Sequence, residues 1–139
     1  MSDPFEILEH TADTGFRAWG SAPAELFENA ALAMLSIAAE TDRVDVREQI
    51  TVETTGEDYE SLLVNWLNEV VYLFDSDRFA PKEFHVEAIE PTRLRAKVGG
   101  EPRDPQRHPW KLIVKAVTYH KLEVAQRNGH WEAQVYLDI

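Results

Sequence analysis

The chain has 139 residues and 44% hydrophobic content, which is enough for one domain with one core and too little for two. It has 14 basic and 25 acidic residues. The resulting net charge of −11 would repel a phosphate backbone, so direct nucleic-acid binding through a broad surface is not expected. Such an acidic surface serves solvation first, but it also suits a basic protein partner or a bound cation.

The chain contains no cysteine, which excludes disulfides, thiolate metal sites and a cysteine nucleophile. Its amino-terminal segment has neither the basic region nor the apolar core of a signal peptide. The longest apolar run, Ala30–Ala39, has about half the length of a membrane-spanning helix. We therefore expect a single domain over residues 1–139, located in the cytoplasm and without contact to a membrane.

Two short strands, Phe5–Leu8 and Phe16–Trp19, are predicted at the start of the chain, with a polar turn between them. A helix should follow, with Ser21 as its candidate cap and Pro23 in its first turn. Apolar residues at helical spacing continue this helix to about Ala39.

The longest periodic signal covers Thr55–Asp75 and predicts an amphipathic helix that begins at a capping box formed by Thr55 and Asp58. Its apolar stripe consists of Tyr59, Leu62, Leu63, Trp66, Leu67, Val70, Leu73 and Phe74. Between the two helices, alternating residues from Val44 to Thr54 predict a half-buried strand. The two helices are expected to pack against each other.

After the second helix the pattern changes to strands and turns. Two strands are predicted from apolar residues on alternate positions, which are Phe84, Val86 and Ala88 in the first and Leu94, Ala96 and Val98 in the second. The Gly99–Pro109 segment has no apolar residue and predicts an exposed loop, in which solvation explains Arg103, Arg107 and His108 better than a partner does. The β-branched Trp110–Thr118 segment predicts another strand.

The strongest hairpin signal closes the chain. Asn128 and Gly129 suit a two-residue turn between the strands Leu122–Arg127 and His130–Asp138. If pairing persists from this turn, Tyr119 comes opposite Asp138. The whole pattern predicts an α+β domain in which two amphipathic helices pack on a mostly antiparallel or mixed β-sheet. A three-layer β-α-β sandwich is one form of this arrangement.

Standard catalytic motifs such as a phosphate-binding loop or a nucleophile elbow are absent from the sequence, which disfavours a self-sufficient enzyme. The remaining candidate groups lie at the ends of predicted elements: His10, Asp13, Tyr119, His120, Asp138 and the carboxylate of Ile139. Asp13, Asp138 and Ile139 would offer hard oxygen ligands, which suit Ca²⁺ or Mg²⁺ better than zinc. The turn chemistry of an aspartate two residues before a glycine explains Asp13 equally well.

Five blocks of the sequence, in this order and spanning nearly the whole chain, resemble the archease family. They are HTADTGFRAWG at 10–20, ELFENAALAML at 25–35, LLVNWLNEVVYLFD at 62–75, KAVTYHKLEV at 115–124 and VYLDI at 135–139. The resemblance implies an α+β protein that is not itself a catalyst. It implies a cofactor of the RtcB-type RNA-splicing ligase, one that promotes GTP-dependent guanylylation of the ligase's active-site histidine and allows multiple turnover.

The resemblance also assigns residues. The family's metal-binding aspartate falls on Asp13, and its carboxy-terminal pair falls on Asp138 and Ile139. His10, Tyr119 and His120, which lie at the ends of predicted elements, are candidate supporting groups. A divalent cation is implied, Ca²⁺ before Mg²⁺ or Mn²⁺. The family more usually has an aspartate where this chain has Asn65, and we interpret Asn65 as a surface residue.

Two other functions compete with this interpretation. The first is a stand-alone metal-dependent hydrolase, such as a phosphoesterase, that uses Asp13, His120 and Asp138 with a metal-activated water. The second is a general chaperone or interaction module that works through its helices.

Overall fold

The computed structural model describes residues 4–9 and 14–139. Within these ranges the chain forms two helices and eight strands. The helices are α1 (Pro23–Ala38) and α2 (Tyr59–Asp75). The strands are β1 (Phe5–Glu9), β2 (Thr14–Gly20), β3 (Glu48–Thr55), β4 (Phe79–Glu90), β5 (Arg93–Pro102), β6 (Ala116–Val117), β7 (Glu123–Arg127) and β8 (His130–Asp138).

The strands form two antiparallel sheets. In the first sheet β1 pairs with β2, β2 pairs with β8, and the other edge of β8 pairs with both β6 and β7. The second sheet has the order β3, β5, β4. Both helices contact strands of both sheets, so they form a layer between them. The predicted α+β fold is confirmed in its three-layer form, and the described strand pairs are all antiparallel rather than mixed.

This position between two sheets explains why α2 is apolar around most of its circumference. Val64 and Val71 lie outside the predicted stripe, yet both are buried. A helix packed on one sheet buries one face, whereas a helix between two sheets buries two. The helices also contact each other, because the fully buried Trp66 donates its indole N–H to the main-chain oxygen of Phe27 in α1 (3.0 Å).

The helix starts differ from the predicted ones. Thr55 belongs to β3, and the capping box of α2 is formed instead by Asp58 and Ser61, with the Ser61 N–H donating to Asp58 Oδ1 at 2.8 Å. The N-cap of α1 is Ala22, without a side-chain cap, while the N–H of Ser21 donates to Glu25 Oε1 (2.7 Å). Pro23 does occupy the first turn. The prediction for α2 failed because both Thr55 and Asp58 are residue types that can cap a helix, and that for α1 failed because its N-cap is an alanine.

Two predicted strands are altered by local irregularities. The strand predicted from Val44 begins only at Glu48. In β4 a bulge between Val86 and Ala88 moves Ala88 to the exposed side and lets Ile89 pack against the core. One extra residue reverses the inward and outward positions that follow it, so strict alternation could not place Ala88 correctly.

The Trp110–Thr118 segment is not a continuous strand. It forms a bridge between Trp110 and Ala39 and then the two-residue strand β6. Its backbone instead crosses the end of α1, where the N–H groups of Lys111 and Leu112 donate to the oxygen of Ala38 (2.7 and 3.3 Å). Val114 is buried and Leu112 packs against the core, so this part of the segment covers the edge of the helix layer.

The closing hairpin is confirmed. Asn128 and Gly129 have φ angles of 52° and 80°, as a two-residue turn of this kind requires, and Arg127 pairs with His130. Neither helix of the described chain has the length and apolar character needed to span a bilayer.

Candidate functional site

The end of β8, together with the turn that precedes β7, forms a surface that we call the tip: Asp138, Ile139 and residues 118–121. Asp138 is exposed and is the last residue of β8, and Ile139 is 46% exposed. The Asp138 carbonyl accepts a hydrogen bond from the N–H of Lys115 (2.8 Å), which fixes the backbone and leaves the carboxylate directed to solvent.

The turn at 118–121 lies against Tyr136. The Thr118 N–H donates to the oxygen of Tyr136 (3.4 Å), and Thr118 Oγ1 accepts from the N–H of His120 (3.3 Å). The imidazole of His120 packs edge-on against the Tyr136 ring, with centroids 6.0 Å apart. The Nζ of Lys121 lies 5.8 Å from the centroid of the same ring. These contacts cover Tyr136, which is only 6% exposed.

The structure brings some of the predicted site residues to this surface. His120 and the 60% exposed Tyr119 belong to the tip, as Asp138 and Ile139 do. The predicted pairing of Tyr119 with Asp138 is wrong, however, because Asp138 pairs with Ala116. The pairing of β7 with β8 ends at Glu123, where a turn containing Lys121 at a positive φ of 53° intervenes, so the hairpin register does not reach Tyr119.

His10 and Asp13 lie outside the described residues. Thr14, the first residue of β2, pairs with Leu137, and Gly15 pairs with Tyr136. Gly15 leaves room for this neighbour, since a Cβ added there would lie 2.7 Å from Cδ1 of Tyr136. Thr14, the residue that follows Asp13 in the sequence, therefore lies directly beside the end of β8.

Among residues 4–9 and 14–139, no group of three or more histidine or acidic side chains could hold a metal ion. Asp138 can supply one carboxylate, which is a suitable ligand for a hard cation. The other side chain predicted to bind the metal, Asp13, is outside these ranges.

A second cluster, centred on Glu101 and His108, lies within the segment that was predicted to be an exposed loop. Residues 99–102 belong to β5, and Glu101 and His108 are only 3% and 1% exposed. The N–H of Asp104 donates to His108 Nδ1 (3.0 Å), so the ring proton resides on Nε2, which donates to Glu101 Oε2 (3.0 Å). The prediction failed because local composition does not reveal a buried hydrogen-bonded pair.

The same carboxylate is surrounded by further donors. Glu101 Oε2 accepts from the N–H of Asp45 (2.9 Å), and Oε1 lies 3.4 Å from Arg47 Nε and 3.5 Å from a guanidinium nitrogen of Arg107. The Asp45 N–H first, and then His108 and Arg107, hold the pKa of Glu101 below its usual value despite burial. Because every polar atom of the Glu101 and His108 side chains is paired, we assign this cluster a structural role.

Arg103 is half-buried, and its guanidinium is paired within the protein. Its guanidinium lies 4.0 Å from the centroid of the Phe74 ring and donates to the main-chain oxygens of Phe74 (3.1 Å) and His108 (2.9 Å). Desolvation lowers the pKa of Arg103 from its usual value. It thus holds the segment on the end of α2.

Asn65 is exposed, as predicted, and its amide donates to the oxygen of Thr55 at 2.7 Å. A carboxylate cannot donate in this way, so Asn65 gives this chain a link between α2 and β3 that an ionised aspartate would lack.

Comparison with known proteins agrees with this fold. The model of the archease family, described as "Archease protein family (MTH1598/TM1083)", matches residues 5–139. The archease of Methanosarcina mazei is 43% identical over 97% of this chain and 95% of that protein. The archease of Methanopyrus kandleri is 37% identical over 98% of this chain and 99% of that protein.

Two solved structures are also similar. The solution structure of protein 1598 of Methanobacterium thermoautotrophicum has a TM-score of 0.84 and 37% identity, covering 98% of this chain and 99% of that one. An archease of Thermotoga maritima, described as a possible chaperone, has a TM-score of 0.65 at 22% identity, covering 100% of this chain and 98% of that one, and so supports the fold alone. From these matches and the shared architecture, we conclude that the chain belongs to the archease family.

Proposed function

We propose that the protein is a non-catalytic cofactor of an RtcB-type RNA-splicing ligase. It promotes GTP-dependent guanylylation of the ligase's active-site histidine and allows multiple turnover. The observation that carries this proposal is the family match over residues 5–139, since it includes all five sequence blocks from which the role was inferred.

The tip is the part of the protein that we assign to this role. Asp13, Asp138 and Ile139 would supply oxygen ligands to a divalent cation, Ca²⁺ in preference to Mg²⁺ or Mn²⁺, with His10, Tyr119 and His120 as supporting groups. The pairing of Thr14 with Leu137 supports this set, because Thr14 directly follows Asp13 in the sequence. Asp138 is exposed at the same end of the sheet, where β8 ends and β2 begins.

A physical mechanism follows from charge. A guanylylation site must collect a nucleoside triphosphate, a divalent metal and the nucleophile, so its pocket is basic and contains metal. A protein with a net charge of −11 and an exposed carboxylate at its tip is complementary to such a pocket. Binding would shift the ligase towards the conformation that is competent for nucleotidyl transfer.

The test measures product per ligase molecule with GTP and excess broken RNA. We expect many turnovers with the unmutated protein and no more than about one with Asp138→Asn, which removes the charge while preserving the side-chain shape. Glu53→Gln is the matched control, because Glu53 is an exposed carboxylate on the other sheet. Full activation by Asp138→Asn would exclude Asp138 from the role. A ligase turnover number that is the same with and without the unmutated protein would overturn the proposed function.

The same preparation separates two alternatives. A stand-alone hydrolase would cleave phosphoesters without ligase and would lose this activity with a chelator. A general chaperone, the role suggested by the description of the Thermotoga maritima archease, would bind unrelated unfolded proteins. A ligase-specific activator does neither.

A further inference from the structure

The backbone of Asp138 is held by β6, which is only two residues long. Ala116 pairs with Asp138, and Val117 pairs with Leu137. The residues flanking β6 add the hydrogen bonds from Lys115 to Asp138 (2.8 Å) and from Thr118 to Tyr136 (3.4 Å). β7 pairs with β8 only as far as Gln134. At Leu137 and Asp138, the edge of β8 that faces away from β2 is therefore paired by β6.

The backbone groups of Val117 point away from β8, as those of alternate residues in an antiparallel strand do. Its N–H donates to Oδ1 of Asn68 in α2 (2.9 Å), and Nδ2 of Asn68 donates back to the Val117 oxygen (3.5 Å). One carboxamide thus occupies the place that a neighbouring strand would take. Val117 is buried, so its backbone groups need these partners.

We propose that Asn68 is a positioning residue for the tip: its carboxamide fixes β6 to α2, and β6 fixes the backbone that carries Asp138. This inference rests on the proposed function, in which the tip acts on the ligase. Because α2 lies in the layer between the sheets, the link joins the tip to a largely buried helix. An apolar or short residue at position 68 would leave the backbone of β6 hydrogen-bonded to β8 alone.

The chain offers a matched control on the same helix. Asn65 also donates its amide to a backbone oxygen, that of Thr55 at 2.7 Å, but this bond ties α2 to β3 in the other sheet. Asn65→Ala therefore removes one side-chain hydrogen bond and Asn68→Ala removes two, and only the second variant affects β6. Asn68→Asp is the conservative variant, since its carboxylate still accepts the N–H of Val117.

The first measurement is amide hydrogen exchange of the full-length chain without ligase. We expect Asn68→Ala to speed exchange at Val117 and at the end of β8 by about tenfold, because the buried amide loses its acceptor. Asn68→Asp should stay closer to the unmutated chain, and Asn65→Ala should leave these amides unchanged. Thermal unfolding checks that both alanine variants are folded. Equal exchange rates at Val117 and the end of β8 in folded Asn68→Ala and Asn65→Ala would overturn the inference.

The second measurement is a titration of the ligase with each variant. We expect Asn68→Ala to need about tenfold more protein for half-maximal activation, because a loosened tip is in its binding geometry for a smaller fraction of the time. Asn68→Asp should restore most of this loss. Normal activation by an Asn68→Ala protein with a loosened β6 would also overturn the inference. If the unmutated chain fails to activate, the proposed function falls, and the exchange experiment still decides whether Asn68 holds β6.

Discussion

At the scale of single residues, Glu101 shows how burial and pairing set a pKa. Its pKa is lowered in the folded protein, first by the N–H of Asp45 and also by His108 and Arg107, so the folded state binds its proton less readily than the unfolded chain does. The stability that Glu101 contributes is therefore fully present above the ordinary pKa of a glutamate and is lost as the pH falls through the lowered value. The pKa values of Asp45 and Glu132 are lowered as well, and they act in the same direction.

We accordingly predict that the free energy of unfolding falls as the pH is lowered from about 5 towards 3, and that Glu101→Gln weakens this dependence. Glu90→Gln is the control, because Glu90 is an exposed carboxylate paired with Arg93 at the surface. Chemical denaturation at a series of pH values measures both. A pH dependence that is the same in Glu101→Gln as in the unmutated chain would contradict the assignment of the buried network.

At the scale of secondary structure elements, the start of α2 is set by a capping box. The Ser61 N–H donates to Asp58 Oδ1, and Ser61 Oγ accepts from the N–H of Asp58 (3.2 Å), so orphan donors of the first turn are satisfied. The neighbouring Thr55 is also a cap-forming residue type, but it ends β3.

We predict that Asp58→Ala lowers the free energy of unfolding by about 1 kcal/mol, the usual cost of losing an N-cap side chain. Thr55→Val keeps a β-branched residue at the end of β3 and should change stability by less than ~0.5 kcal/mol. Denaturant titration of the two variants distinguishes them. A larger loss with Thr55→Val than with Asp58→Ala would mean that the helix starts where its sequence first suggested.

At the scale of the whole molecule, net charge influences which surfaces the protein attracts over long range. A charge of −11 favours long-range attraction to a basic pocket and opposes contact with RNA phosphates. This attraction is screened by salt, whereas apolar contacts are not weakened in the same way.

We predict that the protein concentration needed for half-maximal ligase activation rises about tenfold between ~0.01 M and ~0.15 M salt, as the screening length falls from ~30 Å to ~8 Å. Measuring the ligase alone over the same range corrects for its own response to salt. An activation concentration that does not change would argue against docking driven by charge.

The sequence by itself determined the features that depend on local patterns. Helical spacing located both helices, because burial of one face repeats with the turn of the helix. Asn128 and Gly129 located the closing hairpin and its initial register, because few other pairs of consecutive residues both adopt positive φ angles. The candidate residues Tyr119, His120, Asp138 and Ile139 were also found from the sequence, and they lie at one surface.

Only the tertiary structure decided the features that depend on distant partners. Sequence could not show that Ala116, rather than Tyr119, pairs with Asp138, because a turn interrupts the register. It could not show that Glu101 and His108 are buried, since their burial depends on donors from the segment around Asp45, which is far away in the chain. Asn68 looked like one more polar residue on a helix. Its role depends on the edge of β6 that faces away from β8, and only the assembled fold places that edge beside Asn68.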